Sequence, residues 1–448
     1  MYDVFPMKKL RNPNAPLTSA LTGSETELSF PISASCPSDK TRYQAGLFTE
    51  SIDIPIIYST GLQDTKGSQT VSDDEPEKLI TWLHSKLVCT SYEISSGGLH
   101  TCGMNTNGQV YCWGSNDWGK IGNGNVSYAY VAYDPTAVSS SLVFTQISAG
   151  ETVSCGLITT GSVYCWGTLS DSWSYPTPTL ISTDQVFSEV TTGYRYACGI
   201  TEAGKAYCWG SNNADINRNL GTLGNNSDTD SDLPVPVYGN FVFQKIDAKE
   251  VHTCGLTIDG KIFCWGLNAL ESGLIGAASS VYASPIPIQV QSNQVFSQIS
   301  VGERVNCGLT TIGKAYCWGN NYSGQIGNNS HIDSPVPMSV VTSVIFDKIS
   351  AGSGRTCALT VDGNPYCWGL NITPIFTYEE WLVPVAISGG VNFMQISSAD
   401  RYTCGITTDA KSYCWNIENY GEFGLGDPGA GQYGIHYYPL PTLNLFNP

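Results

Sequence analysis

The stretch Cys102-Gly-Met-Asn-Thr-Asn-Gly-Gln-Val-Tyr-Cys112-Trp113 sets the pattern of this chain of 448 residues. Two cysteines ten positions apart, the second followed at once by tryptophan, recur seven times. A repeat of roughly fifty residues is typical of propeller-like arrays, in which one unit cannot bury its apolar face alone. The pairs are Cys102 with Cys112, Cys155 with Cys165, Cys198 with Cys208, Cys254 with Cys264, Cys307 with Cys317, Cys357 with Cys367, and Cys404 with Cys414.

The spacing within each repeat predicts a β-hairpin with a disulfide across it. In the first copy the two cysteines are equidistant from the turn Thr106-Asn-Gly108, where glycine can adopt the left-handed conformation. Counting outward from the turn places Cys102 opposite Cys112 at a non-hydrogen-bonded pair, where Cα atoms approach to about 4.5 Å. A disulfide spans that separation, so we expect seven cross-strand disulfides.

Two further strands are predicted in each repeat. A strand precedes every hairpin, for example Phe144-Thr-Gln-Ile-Ser-Ala-Gly150. A proline-containing stretch such as Asp232-Leu-Pro-Val-Pro-Val237 follows several of them, and proline is tolerated at a sheet edge. We therefore predict an all-β fold, a seven-bladed β-propeller of four-stranded antiparallel blades with the proline-bearing strand outermost.

One copy shows a family resemblance most clearly. Residues 299–327 contain Ile-Ser-Val-Gly, Cys-Gly-Leu-Thr, Tyr-Cys-Trp-Gly and Asn-x-x-Gly-Gln-Ile-Gly in that order. This pattern resembles the repeat of the regulator of chromosome condensation family, in a variant that adds paired cysteines. The resemblance covers roughly residues 90–448 and departs most in the last copy, at Ala410 and Asn416. It implies a propeller, and because the family includes exchange factors, photoreceptors, ubiquitin-ligase modules and secreted inhibitors, the function has to be argued from the site.

Composition and motifs disfavour several functions. The chain has 38 acidic and 21 basic residues, and its net charge of −17 repels nucleic-acid phosphates. Family photoreceptors place tryptophan between the first two strands, whereas the corresponding loops here contain none. We see no sialidase box, Ser-His-Asp signature, phosphate-binding glycine loop or zinc helix motif, so we predict no enzyme and no cofactor. Carboxylates meeting in a central funnel leave a glycoside hydrolase as the alternative.

The cysteine count indicates an oxidising compartment. Sixteen cysteines divide into the seven pairs plus Cys36 and Cys89. Disulfides of this density persist outside the cell, so we predict an extracellular or cell-surface protein; reduced thiols in a cytosolic propeller are the alternative. Five histidines and the long cysteine spacing disfavour a metal site. No segment has the roughly 20 apolar residues of a membrane span, and since Met1–Leu10 lacks an apolar signal region, we expect a missing leader.

Residues 1–90 lie outside the repeats, and residues 91–448 contain them. We therefore predict an N-terminal extension followed by the propeller. The extension either packs on its own subunit as a plug or adds a strand to the sheet edge of a neighbouring subunit. Its expected features are strands at Leu28–Ile32 and Ile52–Tyr58, a short helix between Asp74 and Leu87, and a Cys36–Cys89 disulfide.

The loops between the first and second strands should emerge on one face of the disc. They combine basic, acidic and aromatic side chains, as a protein or ligand contact surface would. The alternative is that these side chains form salt bridges and hydrogen bonds between neighbouring blades. The candidate binding-face residues are Tyr194, Arg195, Tyr196, Glu303, Arg304, Arg355, Arg401 and Tyr402.

Two further motifs concern glycans and metals. Five sequons lie after the tryptophan of a repeat, where we expect the chain to be exposed. The run Asp228–Asp232 resembles the start of a calcium loop, but Leu233 occupies the glycine position, which favours a solvated acidic loop. The sequon asparagines are Asn125, Asn225, Asn321, Asn328 and Asn371.

These features predict an extracellular, non-catalytic interaction or structural protein. The preferred form is a cell-surface or filament subunit joined through its N-terminal strand. The alternative is a secreted binding module, either an adhesin or a protein inhibitor. The expected partners are a protein, a glycan or further copies of the chain, with no nucleic acid and no metal.

Overall fold

The chain divides into two compact units, Met1–Ser91 and Tyr92–Pro448. Only four short strands are described in the first unit, so the expected helix and the Cys36–Cys89 disulfide lie outside the described residues. In the second unit, the computed structural model describes residues 92–126, 130–170, 174–212, 220–268, 272–276, 281–372, 378–418, 422–423 and 434–442.

The first unit contains one antiparallel sheet. Its strands follow the chain in the order β1 to β4, with Leu28 opposite Ile54. Both strands predicted here are present, and the first ends before Pro31, which has no N–H to donate. The strands are Glu27–Phe30 (β1), Ile52–Ile57 (β2), Gly61–Gln63 (β3) and Thr70–Val71 (β4).

The second unit is a seven-bladed propeller of four-stranded antiparallel blades, as predicted. Each blade is formed by consecutive strands, and one 3-10 turn, Asp117–Gly119, follows the third strand of blade 1. Blades 1 to 4 contain Glu93–Ser96, His100–Met104, Val110–Ser115 and Val131–Ala137 (β5–β8); Phe144–Ala149, Val153–Ile158, Val163–Thr168 and Ser174–Leu180 (β9–β12); Phe187–Thr192, Tyr196–Thr201, Ala206–Gly210 and Ser231–Pro236 (β13–β16); Phe243–Lys249, His252–Thr257, Ile262–Leu267 and Ala283–Gln289 (β17–β20). Blades 5 to 7 contain Phe296–Val301, Val305–Thr310, Ala315–Gly319 and Ser334–Ser339 (β21–β24); Lys348–Ala351, Arg355–Leu359, Pro365–Ile372 and Tyr378–Ala386 (β25–β28); Phe393–Ser398, Tyr402–Thr407, Ser412–Glu418 and Gly434–Pro441 (β29–β32).

The first strands surround the central axis and the fourth strands form the rim. First strands of neighbouring blades lie against one another, and β29 of blade 7 lies beside β5 of blade 1, which closes the ring. Every fourth strand carries at least one proline, so the outer edges lack N–H groups that another strand needs for pairing.

Side-chain hydrogen bonds join the inner edges of the blades. At one position of the first strand, six blades have a side-chain oxygen that accepts a backbone N–H of the next first strand, at 2.7–3.0 Å. In blade 2, Ser148 instead bonds the hydroxyl of Thr192. The closing contact, Ser397 Oγ to Ser96 N, has the same form as the others. The six acceptors are Ser95, Thr191, Asp247, Ser300, Ser350 and Ser397.

The hairpin register agrees with the prediction in all seven repeats. Cys102 is directly opposite Cys112, and Gly108 lies in the turn with φ of 72°. All seven predicted disulfides are formed, with Cα atoms 4.0–4.1 Å apart. Ala410, in place of the turn glycine of the last repeat, takes the same left-handed conformation at φ of 65°.

The apolar core lies between blades. In each interface the disulfide of one blade packs with the phenylalanine or tryptophan of the next; Cys198 and Cys208 of blade 3 contact the cluster of Phe243 and Trp265. The seven repeat tryptophans are at most 2% exposed. Glycine in the second strand makes room for the phenylalanine ring, since a Cβ at Gly156 would lie 2.4 Å from Phe144. A blade therefore cannot bury its faces without its neighbours.

A glycine-rich loop after the third strand supports the next blade. In four blades a fully buried asparagine three positions after the tryptophan organises this loop, as when Asn321 Oδ1 accepts the N–H of Ile326. In blades 3, 4 and 5 a loop carbonyl then accepts the indole N–H of the following blade, for example Trp265 to Thr222 O at 3.0 Å. Blades 2 and 6 have short connections instead. The following indole N–H groups, those of Trp209 and Trp415, are buried without an acceptor among the described residues, and so is that of Trp166, which follows blade 1.

This difference predicts unequal costs for one substitution. Trp265→Phe should lower the free energy of unfolding more than Trp209→Phe, by about 1 to 2 kcal/mol, because only the first leaves a buried carbonyl unpaired. Both changes remove the same indole volume, so each is the control for the other. Denaturant unfolding of the oxidised protein measures the difference; equal losses would contradict the assignment.

Candidate interaction face at the channel mouth

The loops between first and second strands lie at one end of the central channel, called here the mouth face. Four carboxylates from blades 2, 4, 5 and 7 occupy these loops: Glu151, Glu250, Glu303 and Asp400. Burial, with the nearby Glu151 and Glu303, raises the pKa of Glu250 to about 8. Burial likewise raises the pKa of Glu151, and burial with Glu303 raises that of Asp400. The mouth therefore brings together more negative charge than it can hold fully ionised.

Lys249 extends across the channel beneath these carboxylates. Its Nζ donates to Ser96 O of blade 1 at 2.7 Å. Other blades have glycine or alanine here; at Gly97 a Cβ would lie 2.1 Å from Gly150 O. In blade 4 the strand pairing extends to Lys249 opposite His252, and Glu250 lies in the left-handed region at φ of 47°. Burial lowers the pKa of Lys249, and Glu151, Asp247 and Glu250 oppose that shift.

A second charged group lies deeper in the channel. Lys245 forms an ion pair with Glu189 of the preceding blade. Glu93 Oε2 accepts the N–H of Ile147 at 2.7 Å, and burial raises the pKa of Glu93 to about 8. Blade 4 thus contributes both Lys245 and Lys249, which interact with carboxylates of other blades. The position of Lys245 is also charged in blades 1, 3 and 6, where it carries Glu93, Glu189 and Lys348.

Three of the predicted face residues are inside the protein instead. Tyr196, Arg355 and Tyr402 are at most 4% exposed. Each stands two positions before a cysteine and therefore on the same strand face, which packs against the next blade. Tyr196 OH donates to His252 O at 2.8 Å, and Tyr402 OH donates to His100 O at 2.8 Å. The prediction that these residues bind a partner is therefore wrong; the two tyrosines join blades, and Arg355 bonds within its own blade.

Arg355 fills the space left by the short connection of blade 6. Its guanidinium donates to Leu370 O and to Asn371 Oδ1 at 2.9 Å, and burial lowers its pKa to about 9. Among the described residues it has no carboxylate partner. Its role is local and structural.

The other predicted residues do lie on the mouth face. Tyr194 and Arg195 are half-buried, whereas the side chains of Arg304 and Arg401 are 65% and 58% exposed. The ion pairs of these loops join sequence neighbours, Glu303 with Arg304 and Asp400 with Arg401, at 3.1 and 3.5 Å. The expected inter-blade salt bridges are thus replaced here by pairs within one loop, and the two arginines stay accessible.

One buried contact resembles part of a hydrolytic site. His100 Nε2 lies 2.7 Å from Ser154 Oγ, but both residues are fully buried and Ser154 donates to Lys120 O. His100 Nδ1 has no partner among the described residues, so nothing there orients the ring as a catalytic base. The pair belongs to a polar seam between blades, as does His252 with Asn306 at 2.9 Å.

The sequons and the acidic run have structural roles. Asn321 is fully buried, and its side-chain amide donates to Ser330 O at 2.7 Å, so a glycan cannot attach there in the folded protein. The other four sequon asparagines are half-buried and remain candidates. Asp230 accepts the N–H of Asn212 and Asp232 accepts the hydroxyl of Ser170.

Metal-binding clusters and membrane-spanning helices are both missing from the described ranges. In those ranges no three His, Cys, Asp or Glu side chains are grouped as metal ligands. Among the same residues no helix has the length and apolar character needed to span a membrane.

The residues that sequence reasoning missed are Lys249, Lys245 and Glu93. The signal for Lys249 was present, because lysine replaces a residue that is glycine in five other repeats. Its meaning depends on the ring geometry, which brings distant loops together at one axis.

The raised pKa of Glu250 predicts a pH-dependent stability. A carboxyl whose folded pKa is about 8, against 4.5 when exposed, stabilises the fold fully below pH 4.5 and loses that contribution as the pH rises through 8. Glu250→Gln imitates the protonated form. The variant should match the parent near pH 5 and exceed its free energy of unfolding by about 1 to 2 kcal/mol near pH 8.5.

Unfolding midpoints between pH 5 and pH 9 measure this effect. Glu202→Gln, in an exposed hairpin turn, is the control and should keep the parent profile. A Glu250→Gln profile parallel to that of the parent would show that Glu250 ionises normally.

The comparisons with known proteins concern the repeats. Two profiles described as the regulator of chromosome condensation (RCC1) repeat match the chain: one at residues 93–119, 187–214, 243–270 and 296–325, the other at residues 107–157 and 313–359. The ultraviolet-B receptor UVR8 of Arabidopsis thaliana is 28% identical over 54% of this chain and 43% of its own length. The mouse regulator of chromosome condensation is 31% identical over 24% of this chain and 26% of its own. The chain thus spans less than half the length of these relatives.

Solved structures agree on the fold alone. Prp20p of Saccharomyces cerevisiae superposes with a TM-score of 0.59 at 21% identity, over 69% of this chain and 81% of that one. Human WBSCR16 gives 0.62 at 17% identity, over 72% and 88%. The chain is thus a seven-bladed propeller with one disulfide in every blade, and it contains regulator of chromosome condensation repeats within residues 93–157, 187–214, 243–270 and 296–359.

Proposed function

We propose that this chain is a non-catalytic binding protein that works outside the cell or at its surface, and that the mouth face contacts a protein or glycan partner. The observation that carries the proposal is the buried disulfide in every blade. Disulfides at this density are typical of oxidising compartments. A cytosolic protein would have to keep fourteen core thiols reduced although the Cα atoms of each pair are only 4.0–4.1 Å apart.

The charges of the mouth face support a contact surface. Exposed Arg304 and Arg401 flank carboxylates that are crowded at the axis. A partner that places a cation at the axis and acidic or carbonyl groups over the arginines would relieve the crowding. Yeast Prp20p, which shares the fold, binds Gsp1p and histones, and this favours a protein partner for the present propeller too.

The absence of a catalytic arrangement in the described residues also supports a binding role. Lys249 donates to a carbonyl beneath the mouth carboxylates, which places a cation where substrate would enter a central funnel. The serine and histidine that do meet are fully buried. These features disfavour the glycoside hydrolase alternative.

The oxidation state of the cysteines tests the proposal, because the proposal rests on a disulfide in every blade. Protein isolated from its natural source should show no free thiol when alkylated in denaturant without reductant, and an unreduced digest should contain the seven hairpin disulfides and one between Cys36 and Cys89. Reduction should lower the thermal midpoint steeply, because each small closed loop contributes up to about 3 kcal/mol. Natural protein that is folded with free thiols would exclude the extracellular proposal.

A structural subunit is the second candidate function. Strand β1 is the last strand on one side of its sheet, so its outer edge has no strand partner among the described residues. An edge of this kind can add to the sheet of a neighbouring subunit, and a contact that does not close generates a filament.

Electron microscopy separates the two candidates. The full chain and a variant lacking residues 1–35 are imaged at equal concentration. Fibres formed by the full chain alone would identify the N-terminal strand as the connector. Separate particles in both samples would leave the binding role as the proposal.

A further inference from the structure

The face opposite the mouth carries exposed aliphatic side chains. This face, called here the turn face, is formed by the hairpin turns between second and third strands and by the connections that lead into each first strand. In five blades a valine or isoleucine precedes the first strand and is 39–57% exposed, packed over the turn glycine of the preceding blade. These five residues are Val143, Val186, Val242, Val295 and Ile345.

Blades 4 to 6 add aliphatic residues at the turn tips. Ile258, Ile312 and Val361 are 70%, 64% and 81% exposed. Hairpin turns favour Gly, Asn, Asp and Ser, and β-branched residues fit them poorly. Turns of other blades carry Thr106, Glu202 and similar polar residues at their tips. Packing within the chain therefore does not account for these three side chains.

These residues follow one another around the face. The N–H of Ile258 donates to Val242 O at 3.3 Å. A Cβ placed on Gly260, in the same turn as Ile258, would lie 2.5 Å from Val295 Cγ1. A Cβ placed on Gly313, next to Ile312, would lie 2.4 Å from Ile345 Cγ2. Together with Val361 in the next turn, these exposed residues of blades 4 to 6 are called here the aliphatic ridge: Val242, Ile258, Val295, Ile312, Ile345 and Val361. Exposed apolar side chains grouped on one face mark an interaction site.

The charges beside the ridge indicate what covers it. Turn residues Asp259 and Lys261 pair at 2.8 Å, and Asp409 and Lys411 pair at 2.7 Å. Lys314 of blade 5 and Asp362 of blade 6 are exposed and have no ion-pair partner in the described residues. They are opposite in sign and lie in adjacent turns. A two-fold axis between them would place Lys314 of each copy opposite Asp362 of the other.

We propose that two copies of this chain pair through the aliphatic ridge, turn face to turn face, about a two-fold axis between blades 5 and 6. A two-fold interface uses one patch on both copies and must therefore be complementary to itself, as an apolar ridge flanked by one cation and one anion is. The net charge of −17 opposes association through most other surfaces. Pairing here leaves both mouth faces accessible, so the inference goes beyond the proposed partner site.

Sedimentation of the full chain over a range of concentrations tests the pairing. The unaltered chain should sediment as a dimer that dissociates on dilution. Ile312→Glu combined with Val361→Glu should raise the dissociation constant at least tenfold, because it buries charges against apolar side chains. Val126→Glu is the control, since Val126 is 60% exposed but lies in the loop after the third strand of blade 1. A chain that stays monomeric at every concentration would exclude the proposal.

Charge exchange identifies the occupant as a second copy. Lys314→Glu alone and Asp362→Lys alone should each weaken pairing about tenfold, since each places like charges opposite each other twice. An equimolar mixture of the two variants should pair as well as the unaltered chain, because both contacts are then attractive. The double variant should pair with itself for the same reason. If the single variants weaken association and neither combination restores it, the ridge has a different occupant, and the proposal is wrong.

Discussion

The contact between the disulfide of one blade and the aromatic residues of the next is the interaction on which the rest of the propeller depends. A four-stranded blade has two apolar faces and can bury neither alone. Cys198 and Cys208 present a compact surface to Phe243 and Trp265, and the same arrangement recurs around the ring. Since this contact repeats with little change, the sequence is free to vary at the two ends of the channel, where the mouth face and the turn face have acquired different chemistry.

Much of the fold could be predicted because it depends on local spacing. Cysteines equidistant from a three-residue turn lie opposite each other in the hairpin, and proline in alternate positions suits a rim strand. The site was harder to predict. The sequence places three residues in loops between strands, namely Tyr196, Arg355 and Tyr402. Each is two positions from a cysteine, however, so its side chain lies on the same strand face as that cysteine and is buried between blades. The role of Lys249 depends on its approach to Ser96, 153 positions away, which no local pattern contains.

Blade 4 breaks the approximate symmetry of the ring. Its first strand carries Asp247 and Lys249 where the other blades have neutral residues, and its two lysines, Lys245 and Lys249, reach carboxylates or carbonyls of other blades. A ring of near-identical units has no intrinsic way to distinguish one register from another. Charges from a single blade that meet specific partners across the axis supply that distinction, and they also set the electrostatic character of the mouth.

The disulfides also bear on how the chain acquires its structure. Each one joins a cysteine to the next cysteine along the chain within the repeats, and no blade borrows a strand from another. As the polypeptide emerges from the ribosome or a translocation pore, each pair is complete before the following pair appears. The correct disulfide is then the first that each cysteine can form, so wrong pairings should be rare and little enzymatic reshuffling is needed. The last event in assembly is the meeting of the first and seventh blades, which involves no covalent bond.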